Sequence, residues 1–170
     1  DHVILPGVGA FGEAMEQIRK YELDKVVREV VDKNKPFLGI CLGLQLLFEG
    51  SDESQGVEGL HILDGQVLRI PDKEGLKIPH MGWNDLTVLN DCPLSADVAD
   101  GDYVYYVHSY RADTSDEYIS CYTMYNEKIP GLVYRDNVYG AQFHPEKSGA
   151  AGLKLLRNFA AMTCVKEGNS

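Results

Sequence analysis

Lys35-Pro36-Phe37-Leu38-Gly39-Ile40-Cys41-Leu42-Gly43-Leu44-Gln45-Leu46-Leu47-Phe48-Glu49 is the stretch whose reading decides the fold. Its opening, 36–40, is short, apolar and begun by proline, the pattern of a buried strand in an α/β sheet. Its close, 44–49, carries helix formers and no breaker, and predicts a helix. Between them a cysteine stands with a glycine two positions to either side, at the change from strand to helix. That is the pattern of a nucleophile elbow with cysteine in the serine position. The glycines allow neighbouring backbone to come close on so sharp a turn. The N-terminus of the predicted helix favours thiolate over thiol at Cys41. The turn also aims the Leu42 N–H at the place where an acyl oxygen becomes negative. Taken locally, a small buried cysteine on a core strand fits as well.

Working outward, 170 residues with 44% hydrophobic and 25% charged composition suit a single domain, 1–170, with a substantial core. The formal net charge is −10, and no run of lysine and arginine is present that could track phosphates, so nucleic acid is not an expected partner. Cys41, Cys92, Cys121 and Cys164 are widely spread without a Cys-x-x-Cys pair, which suggests neither a zinc ribbon nor a disulfide framework. A reducing cytoplasm fits that usage. No apolar run reaches the length of a membrane span, and no basic segment leads into an apolar one, so no membrane partner is expected. The chain opens on Asp1-His2-Val3-Ile4-Leu5, a strand without lead-in, and reads as cut at its N-terminus.

After that strand, Pro6-Gly7-Val8-Gly9-Ala10-Phe11-Gly12 leads into a helix beginning near Glu13. The loop lacks the lysine and hydroxyl of a P-loop and does not match the dinucleotide fingerprint. It reads as a tight strand-to-helix turn or as a second oxyanion donor near the elbow. Leu23, Val26, Val27, Val30 and Val31 recur at helical spacing, predicting an amphipathic helix over 22–32 packed on the sheet. Strand, helix, strand and helix in succession predict a parallel sheet, with the site at the carboxyl ends of its strands.

Beyond Gly50 the pattern shifts to a polar loop and a strand over 65–70, where antiparallel pieces are expected to join. The segment 77–84 contains the only tryptophan, Trp83, among poor formers of regular structure, and reads as a rigid loop. Strands are predicted over 85–89, 103–108 and 118–124. A hairpin of 131–135 and 138–143 turns at Asp136-Asn137. Ser148 is placed to cap a last helix whose Leu153, Leu155, Leu156, Phe159 and Met162 cover the sheet before a polar tail frays.

The last strand ends in Phe143-His144-Pro145-Glu146. His144 and Glu146, two apart, face the same side in extended chain. A carboxylate there can hold one ring nitrogen, leaving the other to take a proton from a thiol. His-x-Glu can also supply two metal ligands, but further ligands at useful spacing require His80 or His108. The elbow cysteine after one strand and the His–Glu pair after another, both at one sheet edge, favour nucleophilic catalysis, with no metal and no cofactor.

These residues carry a resemblance. Gly39 to Gln45 with Phe143-His144-Pro145-Glu146 resembles the class I (triad) glutamine amidotransferases. With the segments 6–11, 78–84, 107–111 and 144–148 in the same order, the chain is similar to the glutaminase subunits of imidazole glycerol phosphate synthases. The resemblance implies an open, mostly parallel, flavodoxin-like α/β sheet flanked by helices, with antiparallel additions. Members begin with a strand, a helix and a second strand before the segment starting at Asp1, so the first βαβ unit is expected to be missing. It further implies that Cys41 attacks the glutamine side-chain amide, with His144 as base and acid and Glu146 orienting it. Leu42, Val8 and Gly9 match the oxyanion hole, and Gln45, Glu53, Ser109 and Tyr110 the glutamine site. The implied partner is a (β/α)8-barrel cyclase that takes up the released ammonia in histidine biosynthesis, docked at Trp83, Asn84 and Lys147. Two alternatives stand beside this: another class I glutaminase, of the pyridoxal phosphate synthase type, and a truncated docking module without catalysis.

Overall fold

A computed structural model describes residues 2–163. The chain enters through β1 (Val3–Leu5), then passes α1 (Phe11–Lys20) and α2 (Leu23–Asp32) before β2 (Phe37–Ile40), which runs straight into α3 (Leu42–Gln45). The second half supplies β3 (Gln66–Arg69), β4 (His80–Asp85), β5 (Thr87–Val88), β6 (Tyr103–His108), β7 (Tyr110–Asp113), β8 (Ile119–Tyr125), β9 (Glu127–Arg135), β10 (Val138–Ala141) and α4 (Gly149–Ala161). The central sheet has the order β1-β2-β10-β9-β8-β5. β2 pairs in parallel with β1 and β10, while β9 and β5 run against their neighbours, so four of the six strands point one way. Two further ladders, β3 with β7 and β4 with β6, are the antiparallel additions.

Alternation along the strands gives the sheet two buried faces. Phe37 and Val138 pack into a cluster with Met15 and Ile18 of α1 and Val27 and Val30 of α2. Leu38, Ile40 and Tyr139 face the other way, toward Leu155 and Phe159 of α4 and Tyr106 of β6. A strand buried on both faces reads as an unbroken apolar run, which is why 36–40 was legible.

Several expectations need correction. The helix after the elbow stops at Gln45 rather than running over 44–49. The chain folds back there, so the carbonyls of Leu46, Leu47 and Phe48 accept the N–H groups of Leu60, Ile62 and His61 instead of continuing a helix. The segment 77–84 is not a loop throughout: from His80 it forms β4, because its backbone pairs with β6. On α2 only Val27 and Val30 of the apolar stripe are buried, and Leu23 and Val26 are exposed. Ser148 precedes α4 without capping it: its Oγ donates to the His144 carbonyl at 2.6 Å and accepts the Tyr105 N–H at 2.9 Å. On α4 itself Leu153 is exposed. Cys164 and the polar tail lie outside the described residues. No helix among the described residues is long and apolar enough to cross a membrane.

Candidate active site

The elbow is shaped by contacts that exclude side chains. A Cβ on Gly43 would sit 1.9 Å from the Leu5 carbonyl oxygen, and one on Gly39 would sit 2.6 Å from the Gly43 oxygen. Only glycine lets β1, β2 and α3 approach so closely. Cys41, between them, adopts φ 55° and ψ −108°, a strained backbone for a side chain with a Cβ. The residue lines a cleft of about 420 Å³.

That cleft brings together most of the residues singled out from sequence. Val8, Gly9, Cys41, Leu42, Gln45, Glu53, Ser109, Tyr110, His144 and Lys147 all line it. Glu146 stands behind the imidazole, with one carboxylate oxygen 2.7 Å from His144 Nδ1. A carboxylate accepts, so Nδ1 carries a hydrogen, and in the neutral ring it is Nε2 that holds the lone pair. Pro145 and Lys147 close a 3-10 turn behind His144, and the Tyr105 carbonyl accepts the His144 N–H at 2.9 Å. Trp83 and Asn84 lie outside the cleft on β4, Trp83 56% exposed and edge-on to Tyr105.

At rest the thiol is not engaged with the imidazole. Cys41 Sγ donates to the Val107 carbonyl at 3.7 Å and receives the Gln142 amide at 3.8 Å, and among the described residues no hydrogen bond joins it to His144. Burial pushes the thiol above its ordinary value; the Leu42 N–H opposes this, the Glu146 carboxylate adds to it, and Gln142 and Lys147 oppose it more weakly. The expectation that the elbow favours thiolate is therefore corrected. α3 is a single turn with little dipole, and desolvation wins. Burial likewise raises the Glu53 carboxyl, with the Phe11 N–H opposing.

The Leu42 N–H donates to the Gly7 carbonyl at 3.2 Å. In a trans peptide the N–H points opposite the C=O, so the Gly7–Val8 unit turns its carbonyl toward the elbow and its Val8 N–H away. The two amides are thus not jointly free for an oxyanion in this state.

Two groups were missed. Gln142, wholly buried, bridges Cys41 and Gln45 Nε2, which also reaches the Tyr110 carbonyl at 3.2 Å. His80 and His108 form a buried pair whose contact depends on strand pairing between segments 28 residues apart. The signal for Gln142 was a polar residue inside an apolar strand end, next to Phe143-His144.

Fold and cleft define the class of protein: an open-sheet α/β protein that presents an elbow thiol beside a carboxylate-held imidazole. The family model described as glutamine amidotransferase class-I matches residues 1–162. The chain is similar to imidazole glycerol phosphate synthase subunit HisH of Listeria innocua, 48% identical over 163 residues that make up 96% of this chain and 78% of that one. It is likewise similar to the HisH subunit of Bacillus cereus, 52% identical over 159 residues, 94% of this chain and 75% of the other. Among solved structures, PurLQS from Thermotoga maritima shares the fold, with a TM-score of 0.70 at 22% identity over 94% of this chain and 78% of its own. The chain belongs to the class-I glutamine amidotransferases, in the family of HisH subunits.

Proposed function

We propose that this protein is the glutaminase subunit of an imidazole glycerol phosphate synthase, hydrolysing L-glutamine to glutamate and ammonia for a cyclase subunit in histidine biosynthesis. The observation that carries this reading is the 48–52% identity to HisH subunits over nearly the whole chain. The cleft holding Cys41 and His144 supplies residues suited to the chemistry.

In this reading His144 Nε2 takes the thiol proton as Cys41 Sγ attacks the side-chain amide carbon of glutamine. The tetrahedral intermediate collapses, the proton passes from His144 to the leaving nitrogen, and ammonia departs from a γ-glutamyl thioester. Water, deprotonated by the same imidazole, then attacks the thioester; glutamate leaves and the thiol regains its proton. Glu146 holds the Nδ1–H tautomer and supports the imidazolium. Leu42 and the Val8-Gly9 backbone stabilise the oxyanion once the Gly7–Val8 peptide has turned. Gln45, Glu53, Ser109 and Tyr110 hold the substrate. No step calls on a metal or cofactor.

The partner is taken to be a (β/α)8-barrel cyclase, docked over Trp83, Asn84 and Lys147, and the setting a cytoplasm. An exposed tryptophan beside an aromatic neighbour is the side chain most suited to anchor such a contact. Ammonia release from glutamine, measured with and without the cyclase and its ligand, tests the reading. Release stimulated by the cyclase and absent in Cys41→Ala is expected. Equal release by Cys41→Ala would overturn it.

A further inference from the structure

From His108, itself part of the cleft lining, a chain of hydrogen bonds runs into the core, and its direction is determined at both ends. His108 Nδ1 lies 2.8 Å from the Tyr110 carbonyl oxygen, which only accepts, so that nitrogen carries the hydrogen. His108 Nε2 is then a bare acceptor, and His80 Nδ1, 2.9 Å away, is the donor to it. His80 Nε2 is left to accept from Asn84 Nδ2 at 3.3 Å. The Asn84 amide is oriented independently, because its Oδ1 accepts the Asp85 N–H at 2.9 Å. Every hydrogen in the series Asn84, His80, His108, Tyr110 is thereby assigned, and both imidazoles are neutral with the hydrogen on Nδ1.

Packing holds this arrangement. His80 and His108 face each other directly in the β4–β6 register and are both buried. His80 is stacked between Tyr106 and Tyr125, with ring centroids 4.6 and 3.9 Å away. Burial keeps both imidazoles uncharged, lowering His80 to about 4 and His108 to about 3. The Tyr110 carbonyl at which the series ends also accepts from Gln45 Nε2, and Val107, beside His108, supplies the carbonyl that receives the Cys41 thiol.

We propose that His80 and His108 are positioning residues that hold the wall formed by Val107, Ser109 and Tyr110 against Cys41 and Gln45, and tie it to Asn84 at the open edge of β4. Their assignment to glutamine binding rests on the glutaminase reading above, whereas the hydrogen-bond series stands without it. An aromatic replacement at His80 keeps the stack and removes both hydrogen bonds, leaving His108 Nε2 unsatisfied.

The test is ¹⁵N NMR of the imidazoles in the protein, combined with glutamine kinetics of His80→Phe. Wild type is expected to show both rings neutral and Nδ1-protonated at pH 7. In His80→Phe the His108 Nδ1 stays protonated on the Tyr110 carbonyl while the Nε2 resonance shifts as it loses its donor, and KM for glutamine rises about tenfold, the effect of one lost buried hydrogen bond, with kcat within about twofold. Either ring charged or Nε2-protonated in wild type would overturn the proposal, and that spectrum decides the matter even if the variant fails to fold. A folded His80→Phe with an unchanged KM would overturn it too. Wild type without any glutamine turnover would sink the glutaminase reading alone, and the tautomers, with the backbone shifts of Ser109 and Tyr110 in the variant, would then judge the positioning role.

Discussion

His144 Nδ1 and a Glu146 carboxylate oxygen lie 2.7 Å apart, joined across a single proline, with the imidazole buried and the carboxylate side chain 49% exposed. The exposed partner is the one that must stay charged and the buried one is the ring it orients. Replacing Glu146 by Gln keeps the size and removes the charge, so the ring loses its preference for the Nδ1–H tautomer. A fall in kcat of roughly 10²- to 10⁴-fold with little change in KM is expected, the scale of general acid–base catalysis. Steady-state ammonia release in the presence of the cyclase measures it, and an unchanged kcat would remove Glu146 from the mechanism.

The Leu42 N–H is held by the Gly7 carbonyl, so partner-free turnover is expected to be low. Val8→Gly frees the φ of the peptide unit that must turn. A partner-free rate roughly tenfold above wild type is expected, a fraction of the 10²–10³ that one oxyanion donor contributes. A rate equal to or below wild type would mean that this peptide does not limit the resting enzyme.

Acid sensitivity follows from the neutral histidines. The ordinary histidine value is 6.5, while the folded values are about 4 for His80 and about 3 for His108. Between these limits the unfolded chain binds protons that the folded chain does not, so stability is full above pH 6.5 and declines as pH falls. Each titrating histidine contributes a slope of about 1.4 kcal/mol per pH unit in that window. Urea unfolding from pH 7 to pH 4.5 should show the decline, and His80→Phe should make it shallower. An equal slope in the variant would contradict the account.

The elbow glycines allow a prediction about stability alone. In Gly43→Ala the new methyl meets the carbonyl of Leu5, in a strand that β2 holds in register. A loss of about 3 kcal/mol or more is expected, at the upper end of overpacking effects. At Gly7 the nearest atom to a new Cβ would be a Leu42 side-chain carbon at 3.6 Å, so Gly7→Ala should cost less. Thermal unfolding of the two variants side by side decides it.

What could be read from the chain was what neighbouring residues dictate. The turn at Cys41 needs Gly39 and Gly43 whatever surrounds it, and His144 with Glu146 makes a pair at two-residue spacing. What could not be read depends on distant partners. β4 contains Gly82, at φ 123°, and Trp83, and its extended state is set by β6 rather than by its own residues. The helix after Cys41 is cut short by a loop returning some fifteen residues later to take its carbonyls. The meeting of His80 with His108, and of Leu42 with Gly7, has no local signature at all.

The most direct test of the central claim is to mix the protein with its cyclase and glutamine, quench in acid, and determine the intact mass and the modified residue. An added γ-glutamyl group on Cys41 is expected, absent in Cys41→Ala and decaying as glutamate appears. Ammonia release without any covalent adduct on Cys41, across all quench times, would contradict it.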